Sequence, residues 1–74
     1  MDKAKQLCLA ALKSFIEDSS NENKMELIIE YDEIDDQDKA AFLGAELNAA
    51  IASIVLDNHH PDEFLEILRT KFFS

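Results

Sequence analysis

Cysteine, glycine and proline occur once each in the 74 residues, and tryptophan does not occur at all. The lone Cys8 excludes an internal disulfide and a four-cysteine zinc site, and it fits a reducing compartment. With one glycine and one proline, few tight hairpins are available, so an all-β sandwich or barrel is disfavoured. The sequence also lacks a secretory signal and any apolar run near the roughly 20 residues of a membrane span. We therefore expect a cytoplasmic protein without a membrane partner.

Basic residues are scarce as well. Seven lysines and arginines stand against sixteen aspartates and glutamates, which gives a formal net charge of −9. This balance repels phosphate and disfavours direct nucleic-acid binding. Ten of the acidic residues lie among the twenty-two residues 17–38, where Lys24 is the only base. A block this dense is either a solvated surface or a face shown to a basic partner. We refer to residues 17–38 as the acidic segment.

The residues that are abundant favour helices. Hydrophobic residues make up 47% of the chain, and most of them are alanine, leucine and isoleucine, of which alanine and leucine are strong helix formers. A chain of this length forms one domain near the lower size limit for a single apolar core. The predicted fold is all-α: a single acidic helical domain over residues 1–74, built as a small bundle of three to four helices.

Two amphipathic helices are predicted at the ends of the chain. From Asp2 to about Asp18, apolar residues recur at three- and four-residue spacing, as on one face of a helix. Pro61 suits the first turn of a last helix, and Arg69 and Lys71 complement the helix dipole at its end. The predicted buried stripes are Ala4, Leu7, Cys8, Ala11, Leu12 and Phe15 in the first helix and Phe64, Leu65, Leu68 and Phe72 in the last.

A long central helix is predicted from about Asp36 to Asn58, with Asp35 and Asp36 supplying a cap and favourable negative charge. Both sides of this helix carry apolar residues, so we expect both sides to be enclosed. One side carries Leu43, Leu47, Ala50, Ile51 and Ile54, and the other carries Ala41, Ala45, Ala49, Ala52 and Leu56.

The stretch between these helices fits two structures. A serine and a glutamate at the ends of residues 19–22 have the spacing of a capping box, after which Met25, Ile28 and Ile29 form a helical face. Residues 25–32 also alternate in a period of two and are rich in β-forming side chains, as in a strand. An isolated strand has no partner in a helical chain, so we predict a short helix. The alternative is an α+β fold in which a strand near residues 25–32 pairs with its copy in a dimer.

No arrangement in the sequence is typical of a catalytic or metal site. His59 and His60 are adjacent, so in a helix they point about 100° apart and are poorly placed to chelate one zinc ion with Cys8. The aspartates of residues 32–38 invite a calcium site, but they do not fit the EF-hand pattern. The serines occur in no nucleophile motif, and the solitary Gly44 excludes a phosphate-cradling loop. We therefore predict a non-enzymatic protein without a cofactor or a bound metal.

Interaction is the function that remains, and the acidic segment is the predicted contact surface. If helical, it advances about 1.5 Å per residue, and its carboxylates compare with DNA, which carries one charge per roughly 1.7 Å of axis. In size and charge the chain is similar to small phage and mobile-element inhibitors, including DNA-mimic antirestriction and anti-CRISPR proteins. This resemblance implies an inhibitor or regulator that docks on a basic, nucleic-acid-handling protein. The predicted contact residues, with Tyr31 as an aromatic anchor, are Glu26, Glu30, Tyr31, Asp32, Glu33, Asp35 and Asp36.

A second hypothesis is a homo-oligomeric structural or adaptor protein with no nucleic-acid-related target. It is motivated by the central helix with two apolar sides and by hydrophobic residues that a short monomer struggles to cover. The two hypotheses are compatible, because a homodimer presents two acidic faces. The hydrophobic residues in question are Leu27, Tyr31, Ile34 and Phe73.

Overall fold

Five α-helices joined by short links form the computed structural model, which describes residues 2–56 and 62–73. These described ranges contain no strand. The all-α prediction is therefore confirmed, the count of three to four helices is too low, and the strand alternative near residues 25–32 is not supported. The helices are α1 (Asp2–Glu17), α2 (Asn21–Asp32), α3 (Asp36–Leu43), α4 (Ala45–Leu56) and α5 (Asp62–Phe73).

Helices α1 and α2 pack against each other as a helical hairpin. The three-residue link 18–20 turns the chain back, and the α1–α2 contact is the most extensive helix pair in the described structure. Helix α5 packs on α1, and α4 packs on both α2 and α3. One side of α2 is therefore covered by α1 and α4, and the other side faces solvent. Within the described ranges, no helix is both long enough and apolar enough to cross a membrane.

The core draws on all five helices and on the link between α2 and α3. The predicted stripe of α1 is largely confirmed, but Leu7 is 45% exposed and Ala4 is only partly buried. In α5 the predicted Leu65 and Leu68 are buried, while the phenylalanines pack against the core and stay partly exposed. Pro61 lies outside the described residues. The buried apolar residues are Cys8, Ala11, Leu12, Phe15, Ile16, Leu27, Ile34, Leu43, Leu47, Ala50, Ile51, Ile54, Leu65 and Leu68.

The predicted central helix is interrupted at Gly44, which separates α3 from α4. Gly44 has φ 88° and ψ 150°, a backbone conformation that is costly for any residue with a side chain. Backbone hydrogen bonds connect Gly44 to both helices. The Gly44 N–H donates to the Ala40 carbonyl of α3, and the Asn48 N–H of α4 donates to the Gly44 carbonyl, each at 2.9 Å. The prediction of one helix over residues 36–58 is wrong at this glycine, and its predicted end at Asn58 lies outside the described residues.

The two sides of α4 differ in burial. The side that includes Leu47, Ile51 and Ile54 is buried as predicted. The opposite side is largely exposed, and Leu56 at its end is 81% exposed. The expectation that both sides are enclosed is therefore wrong, because the helices that pack on α4 cover only its inner side.

Helix α2 turns a different face inward from the one predicted. Leu27 is fully buried and Ile34 in the following link is 2% exposed, whereas Met25 is 57% and Ile29 50% exposed. The predicted helical face of Met25, Ile28 and Ile29 is therefore not the one that enters the core, although Ile28 is half-buried. Residues 27, 31 and 34 are spaced by four and three positions, and this second stripe packs against the core instead.

The hydrophobic residues that motivated self-association are covered within one chain. Leu27 and Ile34 are buried, and Tyr31 and Phe73 pack partly buried against the core. These four residues therefore give no reason to expect a second copy.

Candidate functional site

Hydrogen bonds fix the start of α2 against the end of α1. Ser20 is the N-cap of α2, and its side chain accepts a hydrogen bond from the Asn23 N–H at 3.2 Å. The Asn23 side-chain amide donates to the carbonyls of Ser14 at 3.2 Å and Asp18 at 2.8 Å. The cap lies one residue after the predicted one, since the Ser19 hydroxyl donates to the backbone of α1 instead. These bonds set the direction in which α2 leaves the hairpin and hence which side of α2 faces solvent.

Tyr31 connects the inner side of α2 to α4. Its hydroxyl donates to Asn48 Oδ1 at 2.5 Å, and its ring packs against the core. Burial raises the pKa of Tyr31 above its ordinary value, so the hydroxyl remains a donor. Tyr31 is thus part of the packing, and only the remaining exposed part of its surface is available for the anchoring role predicted for it.

The outer face of α2 combines three carboxylates with two apolar side chains. It consists of Glu22, Met25, Glu26 and Ile29 and of Glu33, the C-cap residue that continues the helical backbone, and all five are exposed. At 100° per residue, these five positions fall within roughly 100° around the helix axis. The face is therefore one continuous surface, opposite the side that α1 and α4 cover.

The predicted contact residues do not all share this face. Glu26 and Glu33 lie on it, whereas Glu30 and Asp32, two positions apart on a helix, point to nearly opposite flanks. Glu30 is only partly exposed and Asp32 is exposed. Asp35 and Asp36 are exposed in the α2–α3 link and at the start of α3. We refer to the exposed carboxylates of this region as the acidic surface: Glu22, Glu26, Asp32, Glu33, Asp35 and Asp36.

Lys39 holds the link between α2 and α3. It is the one buried charged side chain among the described residues, at 7% exposed. Its ammonium donates to the Ile34 carbonyl at 2.5 Å and to Asp36 Oδ1 at 2.8 Å, and it lies 4.8 Å from the centre of the Tyr31 ring. Burial acts to lower the pKa of Lys39, but Asp36, Tyr31 and Asp32 together outweigh burial and raise it. The hydrogen bond from Lys39 lowers the pKa of Asp36, so Asp36 is already paired within the chain.

The charges of α2 act against the stability of their own helix. Glu22, Glu26 and Glu30 recur every four residues, a spacing at which like charges destabilise a helix by about 0.2–0.5 kcal/mol per pair. The last turn contains no base, and the carboxylates of Glu30 and Asp32 there oppose the helix dipole. Within the acidic segment and the start of α3, Asp36 forms an ion pair with Lys39. Helix α2 therefore carries four acidic residues against the single base Lys24 and has a net negative charge.

The spacing of the carboxylates is wider than the sequence suggested. On the outer face, Glu22, Glu26 and Glu33 are separated by four and seven residues, or roughly 6 and 10 Å along the axis. One DNA strand carries a phosphate about every 3.4 Å. The helix turns most side chains of the acidic segment away from any single line, so the row is less dense than a phosphate backbone.

A groove opens beside Met25, at the junction of α1, α2, α4 and α5. It has a cavity volume of about 640 Å³. The described residues that line it include an apolar set and, at the rim, polar side chains of the α1–α2 link and of α2. Pockets of this volume are large enough for a ligand or for a side chain of a partner. The apolar lining residues are Phe15, Met25, Ile28, Val55 and Leu65.

Met25 and Ile29 are the site residues that the sequence did not reveal. The sequence placed them on one helical face with Ile28 and gave them no role in binding. A signal was present in Ile34, which extends the alternative stripe through Leu27 and Tyr31 beyond the end of the helix. Leu27, Tyr31 and Ile34 together bury more apolar surface than Met25 and Ile29 could, so their side of the helix faces the core.

The described residues contain neither a cluster of metal-binding groups nor a reactive thiol. Among them, no group of three or more histidine, cysteine, aspartate or glutamate side chains could hold a metal ion, and His59 and His60 lie outside the described ranges. Cys8 is fully buried, and burial, with a further contribution from Glu30, raises the pKa of its thiol to about 11. At neutral pH such a thiol stays protonated, whereas a nucleophile requires the thiolate. No family model matches the sequence, and neither a curated protein nor a solved structure matches it.

Proposed function

We propose that this protein is a non-enzymatic inhibitor or regulator that docks its acidic surface on a basic surface of a nucleic-acid-handling protein. The observation that carries the proposal is the charge arrangement of α2, where exposed or partly exposed carboxylates stand at like-charge spacing and at the unfavourable end of the helix. Charges that weaken their own helix are explained if they bind something outside the chain. A groove that normally holds phosphates is basic and has the complementary sign.

The acidic surface favours fast, salt-sensitive association. A surface of one sign steers an oppositely charged partner into encounter, and the effect falls as salt screens the charges. Because the acidic surface and a phosphate backbone compete for the same basic groups, occupation by this protein excludes nucleic acid. Inhibition then follows from competition and needs no reaction.

A charge-reversal pair tests the proposal. The first variant is Glu26→Lys with Glu33→Lys on the outer face of α2, and the control is Glu63→Lys with Glu66→Lys on α5. Each pair raises the formal net charge of −9 by four units and changes only exposed side chains. Far-UV circular dichroism verifies that both variants remain helical. Immobilised proteins are then used to capture partners from a native lysate at low and at high salt.

The expected result is capture of nucleic-acid-binding proteins by the wild type, with release by high salt and by added duplex DNA. The α2 variant loses capture by at least about tenfold, while the α5 variant retains it. Equal capture by both variants contradicts the role of the acidic surface. Capture that duplex DNA does not reverse contradicts competition with nucleic acid.

Self-association is a second candidate, favoured by the exposed outer side of α4. Ala45 and Ala49 are exposed there, and Leu56 is 81% exposed. Small residues on a helix allow a second helix to approach closely. Sedimentation velocity at micromolar concentration tests this candidate: a dimer that dissociates in an Ala49→Glu variant supports it, and a strict monomer contradicts it.

A further inference from the structure

The outer face of α2 carries an apolar strip that its charge does not explain. Met25 is 57% and Ile29 50% exposed, and they lie one helical turn apart. Single exposed hydrophobic residues are ordinary on protein surfaces. Here two of them share one face with three carboxylates, and one of them lines the groove at the helix junction. The strip thus belongs to the same surface for which we propose a basic partner.

The order of side chains across this face is defined by the helix geometry. Glu22, Glu26 and Glu33 lie along one flank of the Met25–Ile29 strip, and the groove lies on the other. A partner that covers the strip therefore needs apolar side chains in the middle and cationic side chains along one edge. This is the charge and hydrophobic pattern of one side of a basic amphipathic helix.

A helix fits the dimensions of the strip. The roughly 6 Å between Met25 and Ile29 along the axis is also the rise between residues four apart on a partner helix, so ridges of the two helices can interdigitate. The flexible thioether of methionine adapts to differently shaped side chains. A rigid phosphate-binding surface, with cations alone, leaves the strip uncovered.

The groove gives such a helix an anchoring position. Its volume of about 640 Å³ accommodates a large apolar side chain, and its apolar lining includes Ile28 and Val55 as well as Met25. Buried apolar anchors at the centre of an interface carry much of the binding energy, and charged residues at the rim contribute to rate and orientation.

We propose that the outer face of α2 binds a basic amphipathic helix of its partner, whose apolar side covers Met25 and Ile29 while its lysines or arginines reach Glu22, Glu26 and Glu33. This inference depends on the proposed function, since both require a cationic partner. It adds the secondary structure of the contacting element and the apolar part of its recognition.

Two synthetic peptides of about 18 residues, or five helical turns, test the inference. Both contain the same lysines and leucines. In the first, leucines recur at i, i+3, i+4 and i+7 and form one side of a helix; in the second, they are distributed around it. Fluorescence anisotropy measures their binding to the full chain at physiological ionic strength. We expect the amphipathic peptide to bind at least about tenfold more tightly than its rearranged counterpart.

An uncharged pair of substitutions localises the contact. Met25→Gln with Ile29→Gln removes the strip, and Leu7→Gln with Ile67→Gln is the control, because Leu7 is 45% and Ile67 59% exposed on other helices. Both variants keep the charge of the protein and change exposed positions, so circular dichroism should report unchanged helicity. The first variant is expected to abolish the preference for the amphipathic peptide, and the second to preserve it.

The outcomes separate the two proposals. Equal binding of both peptides, weakened only by Glu26→Lys with Glu33→Lys, overturns the inference and leaves the proposed function standing. Absence of binding by either peptide overturns the inference, whereas the proposed function falls only if capture fails or is not reversed by duplex DNA. If the wild type self-associates without peptide and Met25→Gln with Ile29→Gln makes it monomeric, the occupant of the strip is a second copy, and the inference is wrong.

Discussion

Helices α2 and α5 have the same length of 12 residues and both have acidic residues in the first turn, but their last turns differ in charge. In α5, Asp62 and Glu63 occupy the first turn and Lys71 the last, as the helix dipole favours. In α2, acidic residues continue through the helix, and its last turn contains no base. The charges at both ends of α5 therefore support their own helix, whereas in α2 only Glu22 at the start does.

The two helices also differ in how their charged side chains interact. Arg69 pairs with Glu66 within α5 at 3.8 Å, and Lys71 pairs with Glu46 of α4. The three glutamates of α2, by contrast, repel one another along the helix. Because α2 is held by its inner contacts, its outer charges are not needed for packing, which agrees with the proposed role in binding. The comparison separates charge that stabilises a fold from charge that is available for binding.

The largest expected loss of stability comes from truncating a buried leucine, and it tests whether the inner sides of α2 and α5 contribute equally to the core. Leu27 is fully buried in α2 and Leu68 is 4% exposed in α5. Replacing either by alanine should lower the free energy of unfolding by about 2–5 kcal/mol, because each change leaves a cavity. Urea denaturation followed by circular dichroism measures the loss. The matched control Ile29→Ala, on the exposed side of α2, should change stability by less than about 0.5 kcal/mol.

If Ile29→Ala lowered the free energy of unfolding as much as Leu27→Ala, the assignment of the inner and outer faces of α2 would be wrong. The same would follow from a Leu27→Ala variant as stable as the wild type. Either result would mean that α2 packs through the face that the sequence first suggested, and the acidic surface would then be differently placed.

Alkaline pH tests the contact between α1 and α2, for which α5 has no thiol counterpart among the described residues. Burial and Glu30 raise the pKa of Cys8 to about 11 from 9.0. A raised pKa means that the contribution of the protonated thiol is complete below pH 9.0 and is lost as the pH rises through about 11. Stability should therefore fall across this window by more in the wild type than in Cys8→Ala. A thiol reagent at neutral pH should label the native protein far more slowly than the unfolded chain.

Identical alkaline profiles for the wild type and Cys8→Ala would show that the thiol is not protected by folding. Rapid labelling of the native protein at neutral pH would lead to the same conclusion. In either case the packing of α2 on α1 around Cys8 would have to be looser than the structure indicates.

Substitutions that remove a contact of α2 or α5 with α4 should have an intermediate effect on stability. Tyr31→Phe removes the hydrogen bond to Asn48 and should cost about 0.5–1.5 kcal/mol. Lys71→Met removes an exposed ion pair with Glu46 and should cost about 0–0.5 kcal/mol. A double-mutant cycle of Tyr31→Phe with Asn48→Ala, measured by urea denaturation, isolates the hydrogen bond. A coupling energy of zero would mean that this hydrogen bond does not help to hold α2 on α4.

Much of the fold could be predicted from the sequence because the terminal helices have one clear apolar stripe each. The break at Gly44 could not, since a single glycine is tolerated inside a helix and its positive φ depends on how α3 and α4 pack. Burial of Lys39 was also beyond the sequence, because lysine is usually exposed and its partner Ile34 contributes only a backbone carbonyl.

The sequence was sufficient to predict that the candidate site is negatively charged, but not how its side chains are arranged around α2. The exposure of most of the acidic segment follows from the cost of burying carboxylates. Its division into an outer face and flanks depends on the inner stripe of α2, and two competing apolar stripes left that stripe undecided. Contacts with α1 and α4 select Leu27, Tyr31 and Ile34, and that selection exposes Met25 and Ile29.

The smallest expected effect bears most directly on the difference between α2 and α5. Glu26 repels both Glu22 and Glu30, so Glu26→Gln should stabilise the protein by a few tenths to about 1 kcal/mol. Glu66→Gln removes the pair with Arg69 and should leave stability unchanged or slightly lower. Urea denaturation at low ionic strength measures both, and high salt should erase the gain at Glu26. A stabilised Glu26→Gln variant that binds its basic partner less tightly would show that this carboxylate is retained for binding at the expense of the fold. A loss of stability at Glu26 would instead mean that the negative charge of α2 is compensated within the chain, and the contrast with α5 would disappear.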